Sequence, residues 1–308
     1  MLISLCFGLA VAGCGGDAPA DTSEVTLKVR PEGTPERRLV GEIYAQALRS
    51  AGFEVRRAPR AKVGSTISFN DLKAGKLSGY PEYLSRILFD SLDLRIDGIP
   101  ANTQIAYRYL NGQLQKQDLT AFPPAPYSIA NAVGFLRKTA AKYGLKTNSD
   151  LKGKAEKMTI GSPTYCNIST ECLTGIEVHY NTAFEAVVFE PAFSIELTWW
   201  RAEPDYRYEV LEDGITDASI LYNTDGRLAT EASKFVILEE DKDIFPASNF
   251  VWVTSEEVIE EAGPGYEKAI VEAQKGLTLP VIRRLNAEME KGNPPAAVAA
   301  KYLRSIGI

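Results

Sequence analysis

Histidine is almost missing from this chain: His179 stands alone among 308 residues. One imidazole gives little support to a Ser/His or Cys/His nucleophilic pair, and it would be the sole imidazole open to a zinc site. His179 falls in an apparent helix, where a structural role is the simplest reading. No G-x-S-x-G elbow, H-E-x-x-H pair, P-loop or G-x-G-x-x-G turn occurs, and no carboxylate pair stands out for acid–base work. The expectation is therefore a protein that is not an enzyme and needs neither metal nor cofactor. A basic excess is missing too. Lys and Arg number 34 against 40 Asp and Glu, a formal charge of -6. Nucleic-acid binders ordinarily show a basic stripe, so nucleic acid is not an expected partner. Beyond residues 1–13, no apolar run approaches the roughly 20 residues that span a bilayer.

That first run, "MLISLCFGLAVAG", is apolar and uncharged. It is too short to span and reads as the h-region of a secretory signal. It runs into "VAGC", Val11 to Cys14, which matches the bacterial lipobox: cleavage before Cys14 and lipid on its thiol. Residues 14–23 are small, polar and without periodicity, as in a flexible tether. The expected product is an extracytoplasmic body anchored to the cell membrane through that lipid. Cysteine usage agrees. Cys6 leaves with the signal, and Cys166 and Cys172 remain in "YCNISTECL". In an oxidising compartment a local disulfide between them is the leading reading.

The body alternates strand and helix patterns. "EVTLKVR" reads as a strand. Thr34 is a good N-cap and Pro35 suits the first helical position. Leu39, Val40, Ile43, Tyr44, Ala47, Leu48 and Ala51 then recur at spacings of three and four, and Gly52 ends the helix. A strand "FEVRRA", a helix in "STISFNDLKAG" capped by Ser65 or Thr66, and a strand leading to Tyr80 follow. This β-α-β-α-β order implies a parallel sheet covered on both faces. The middle repeats the logic, and three C-terminal helices close the chain. One is capped near Thr254 with Glu257 in capping-box spacing, another by Asn293 before Pro294 and Pro295. Open sheets of this kind bind ligands at the carboxyl ends of their strands, which is where "GYPEYLSR" places Tyr83.

In order, "GEIYAQALRSAGFEV", "GSTISFNDLKAGKLSGYPEY", "YEVLEDGITDASILYNTDGRL", "FVILEEDKDIFP" and "PAAVAAKYLRSIGI" resemble the substrate-binding proteins of ABC importers for glycine betaine, choline and related osmoprotectants. The resemblance covers residues 24–308. It implies the α/β, type II periplasmic-binding-protein fold: two α/β lobes, joined by crossover strands, that close on one ligand. Lobe 1 would comprise 24–129 and 230–308, lobe 2 would comprise 130–229, and the crossings would fall near 127–131 and 227–233. The expected partners are a small-molecule ligand and the importer's permease and ATPase subunits.

The resemblance also implies site residues. Such proteins grip a quaternary ammonium head in aromatic rings, and Tyr83, Tyr208 and Tyr222 fall on box positions. A fourth box position falls on Asn131 or Ala132, with Tyr127 as a substitute. Positions that hold the ligand's carboxylate in the family carry Glu32, Ser169 and Arg86 here. Arg86 would restore a carboxylate clamp, and the helix start near Thr34 would accept negative charge. Glu32 would instead attract an amine. Another small amine, an amino acid or an ergothioneine-like zwitterion thus stays open as ligand, as does a sensory module without transport. Between Tyr180 and Tyr208 the chain is about ten residues longer than the family pattern; Trp199 and Trp200 in this stretch either line the cleft or cover lobe 2.

Overall fold

Thr34 accepts the Arg37 amide at 3.3 Å and so caps helix α1 (Pro35–Ser50). Its apolar stripe, Leu39, Val40, Ile43, Tyr44, Ala47 and Leu48, is buried, and Gly52 turns the chain out at φ 96°. The computed structural model describes residues 26–30, 33–58, 65–189 and 203–308. Glu32, Cys14, Trp199 and Trp200, each singled out by the sequence, lie outside the described residues, as does the whole segment 1–23.

Strand β1 (Thr26–Val29) precedes α1. After it come β2 (Glu54–Arg57), α2 (Ser65–Lys73), β3 (Gly79–Tyr83), a single helical turn α3 (Leu84–Arg86), α4 (Thr103–Leu114) and β4 (Leu119–Ala121). The chain then crosses into a second sheet. There it forms β5 (Asn131–Leu136), α5 (Arg137–Tyr143), β6 (Thr159–Pro163), α6 (Leu173–Tyr180), β7 (Glu185–Phe189), α7 (Glu203–Glu212), β8 (Ala218–Tyr222), α8 (Arg227–Thr230) and β9 (Phe235–Ile237). It returns with β10 (Phe250–Ser255) and ends in α9 (Glu256–Ala262), α10 (Gly265–Lys275), α11 (Leu279–Glu290) and α12 (Pro295–Ser305).

The two sheets are built alike. The first has the order β2-β1-β3-β10-β4 and the second β7-β6-β8-β5-β9. In each, one strand arrives from the other lobe and runs antiparallel to both neighbours: β10 beside β3 and β4, β5 beside β8 and β9. The second sheet uses only the consecutive strands β5–β9, whereas the first is completed by β10, which the chain reaches after passing through the second lobe. The two crossing segments, 122–130 and 238–249, lie side by side. Ser128 bridges Asn249, and the Ile129 amide donates to the Ser248 carbonyl at 3.2 Å.

Strand β10 shows how the core forms. Successive side chains leave a strand on opposite faces, so Phe250 and Trp252 enter a cluster with α1, α10 and α12, while Val251 and Val253 enter another with α2 and α4. Both faces are covered, which is why "FVWV" reads as a continuous apolar run. Trp252 crosses so close to β3 that a Cβ on Gly79 would stand 2.5 Å from its ring.

Three local expectations differ from the structure. Strand β9 pairs with β5 in the second sheet, so the chain returns through 238–249 and not near 227–233. Helix α9 is capped by Ser255, whose Oγ accepts the Val258 amide at 3.3 Å. The hydroxyl of Thr254, the expected cap, donates to the buried Ser78 carbonyl at 2.7 Å instead. Four helices follow β10, because Gly263 and Pro264 split the first helical stretch in two, and the last begins after Pro294 with Asn293 outside it.

Candidate functional site

The carboxyl end of β3 carries Tyr83 and the carboxyl end of β8 carries Tyr222. The two sheets turn these ends toward each other, and between them lies a cavity of about 830 Å³ lined by both lobes. Thr34, Glu36, Arg37, Tyr83, Ser85 and Arg86 face it from the first lobe, together with Asn286 and Glu290 of α11. Asn131, Tyr165, Glu171, Arg207, Tyr222 and Asp225 face it from the second. Asn131 begins its strand, but β5 runs antiparallel to β8 with Asn131 opposite Tyr222, so both reach the same end of the sheet.

Glu36 sits in the first turn of α1 and is buried at the cavity floor. Oε1 accepts from the phenols of Tyr83 at 3.3 Å and Tyr127 at 3.2 Å, and Oε2 accepts from Asn286 Nδ2 at 2.9 Å. Burial raises its pKa above the ordinary glutamate value, against the opposing bonds from Asn286, Thr224, Tyr127 and Tyr83. Asn286 Nδ2 also reaches the Thr224 carbonyl at 2.8 Å, so one amide group ties the floor of the first lobe to the second.

Each lobe also presents a guanidinium held by a carboxylate. Arg37 pairs with Glu82 at 2.7 Å and lies 5.1 Å over the Tyr83 ring. Arg207 pairs with Asp225 at 3.4 Å and lies 4.8 Å over the Tyr222 ring. Burial lowers the Arg207 pKa, but Asp225 and the nearby phenols outweigh it and leave the group above its ordinary value. Arg86, half-exposed, is held by Asp90 at 3.1 Å. Across the cavity from it, burial raises Glu171, with Arg86 opposing and Asp90 adding to the shift.

A disulfide between Cys166 and Cys172, whose Cα atoms are 4.9 Å apart, closes the loop that carries Glu171 and that Tyr165 immediately precedes. The Tyr165 and Tyr222 hydroxyls lie 3.1 Å apart, and Asn131 Nδ2 donates to the Glu171 carbonyl at 2.8 Å.

The structure thus brings Tyr83, Tyr222, Arg86, Asn131 and Thr34 to one cavity and leaves three expected residues outside it. Tyr208 is buried inside the second lobe, with the Phe235 ring at 4.8 Å and the Arg227 guanidinium 4.6 Å from its centroid. Only its hydroxyl touches the site's framework, through Asp225 at 3.2 Å. Tyr127 lies beneath the floor as a donor to Glu36. Ser169 is absent from the lining; its Oγ accepts the Glu171 amide at 3.2 Å. Sequence reasoning missed Glu36, Arg37, Tyr165, Glu171, Arg207, Asp225 and Asn286. Three of these had a usable signal: Arg207 adjoins Tyr208 in "DYRYEVL", Asp225 is the acid of "TDGR", and Tyr165 precedes a paired cysteine. Asn286 had none. Among the described residues no cluster of three or more His, Cys, Asp or Glu is placed to hold a metal ion.

The comparisons with known proteins agree with this geometry. The family model for the substrate binding domain of ABC-type glycine betaine transport systems matches residues 26–305. A carnitine transport binding protein of Listeria monocytogenes, OpuCC, is 24% identical over 182 residues, 58% of this chain and 54% of that protein. The chain thus matches about half the length of that curated relative. A solved glycine betaine/carnitine/choline ABC transporter structure superposes with a TM-score of 0.77 at 22% identity, over 91% of this chain and 98% of that one. Ligand-free YehZ of Escherichia coli superposes at 0.72 and 21% identity, over 92% and 99%. These two likenesses establish the two-lobed α/β fold.

Proposed function

Because the chain belongs to the family of substrate-binding domains of ABC-type glycine betaine transport systems, a family of solute-binding proteins and not of enzymes, we propose that it captures a small quaternary ammonium compound outside the cell. It hands this ligand to a membrane permease driven by an ATPase. The glycine betaine, carnitine and choline of its relatives define the ligand class. A trimethylammonium group has no N–H to donate, so a protein recognises it through ring faces, at about 0.5–2 kcal/mol per ring. The observation that carries the reading is that Tyr83 and Tyr222 face one cavity from opposite lobes. A ligand touching both favours the closed arrangement over the open one. Tyr165 takes the third place in the wall, in place of Tyr208. Cys14 in "VAGC" supplies the proposed lipid anchor.

Calorimetry with glycine betaine, carnitine, choline and ergothioneine tests the reading. At least one methylated ammonium should bind, and Tyr83→Ala with Tyr222→Ala should abolish it. Silence from all four removes the claim. A second reading keeps the fold and changes the ligand to an amine or amino acid. It is favoured by the carboxylates of Glu36, Glu171 and Asp225 around the cavity, and it is separated from the first by binding that survives the double substitution.

A further inference from the structure

The two rings offered to the ligand's cationic head already carry cations of the chain itself. Arg37 covers Tyr83 from the first lobe and Arg207 covers Tyr222 from the second. Both arginines line the cavity. Each is charge-matched by one carboxylate, Glu82 or Asp225. Each also keeps a buried Nε that has no hydrogen-bond partner, although a buried polar group without a partner is costly. Asn131 from the second lobe and Asn286 from the first also line the cavity, and each keeps an unpartnered buried Oδ1.

A methylated ammonium reaching either ring meets a guanidinium in place. A simple cation adds a third positive charge beside two that are already balanced, in surroundings where unpaired charge is expensive. A zwitterion brings its own compensation. Its ammonium takes the ring, and its carboxylate accepts the N–H that the guanidinium holds in reserve, in the geometry that guanidinium favours.

We propose that Arg37 and Arg207 are specificity-determining residues that act as exchangeable ring caps and select zwitterions over cations that lack a carboxylate. The proposal rests on the ligand class proposed above and deepens it. Glu36 and Glu171 add little to this charge balance. Both oxygens of Glu36 are engaged by donors of the chain, and burial disfavours the charged forms of Glu36 and Glu171. Arg86 is held by Asp90.

The test is calorimetry of the whole body with carnitine, glycine betaine and choline, on the wild type, Arg207→Met, Arg207→Lys and Arg37→Met. The wild type should bind a zwitterion at least tenfold more tightly than choline. Arg207→Met should lose roughly tenfold in zwitterion affinity while choline binding holds or improves, so that the preference collapses. Arg207→Lys should keep the preference at weaker affinity. Equal loss for all ligands in Arg207→Met, or a wild type that takes choline as tightly as carnitine, overturns the proposal. Should Arg207→Met not fold, as judged by its melting curve, Arg37→Met makes the same distinction from the other lobe. A wild type that binds none of the three condemns the ligand class itself, a different result from an unchanged ratio.

Discussion

Asn286 Nδ2 donates to Glu36 Oε2 at 2.9 Å, a bond between residues 250 positions apart. It places the cavity floor, helix α11 and, through Thr224, the second lobe in one hydrogen-bonded unit.

This unit makes stability depend on pH with a definite sign. Burial raises the Glu36 pKa above 4.5, so the folded chain keeps this proton at pH values where the unfolded chain has released it. Its contribution is fully present below about 4.5 and is lost as pH rises through the raised value. Glu36→Gln lacks the titration. Melting temperatures of both proteins, followed by calorimetry from pH 4.5 to 8, should converge or cross in the variant's favour as pH rises. Two curves that stay parallel throughout would refute this account of the floor.

Tyr208 separates packing from binding. Tyr208→Ala opens a hole in the second lobe between Phe235 and Arg227 and should cost about 3–5 kcal/mol in denaturant unfolding. Tyr208→Phe keeps the ring, loses the bond to Asp225, and should cost about 1 kcal/mol while changing ligand affinity less than threefold. A large affinity loss in the phenylalanine variant would return Tyr208 to the binding wall.

Gly226 packs against helix α11 of the other lobe. A Cβ there would stand 2.5 Å from the Ala287 backbone nitrogen of α11, and its own amide donates to Glu290 Oε1 at 3.0 Å. Backbone cannot step aside as a flexible side chain can. Gly226→Ala should therefore push α8 from α11 at a cost of about 1–3 kcal/mol, widen the molecule in small-angle scattering, and weaken ligand binding. An unchanged scattering profile with unchanged affinity would contradict the contact's role.

The Cys166–Cys172 bridge closes a short loop, sequence separation 6. Loop-closure entropy for so short a ring is about 2 kcal/mol. Reduction, or replacement of both cysteines by serine, should lower stability by that order. It should also loosen ligand binding, because Glu171 sits on the closed loop and Tyr165 directly adjoins it. A melt that reductant leaves unmoved would show the bridge to be dispensable.

The sequence by itself determined the parts whose cause is local. The α1 stripe, its Thr34 cap and the ring-bearing strand end at Tyr83 follow from periodicity and turn chemistry within a few residues. The ordered motifs carried the family. What only the tertiary structure decided was which side chains share a void. Tyr208 and Tyr222 stand fourteen positions apart in sequence, yet one is locked under Arg227 in a lobe's interior and the other faces the cavity. Asn286 reached the site with no local mark at all. The reason is that a helix or strand is set by its own backbone bonds and apolar spacing, whereas a cleft exists only where two separately packed sheets meet. Which residues meet there depends on strand exchange and helix docking over hundreds of positions, and no short window of sequence contains that information.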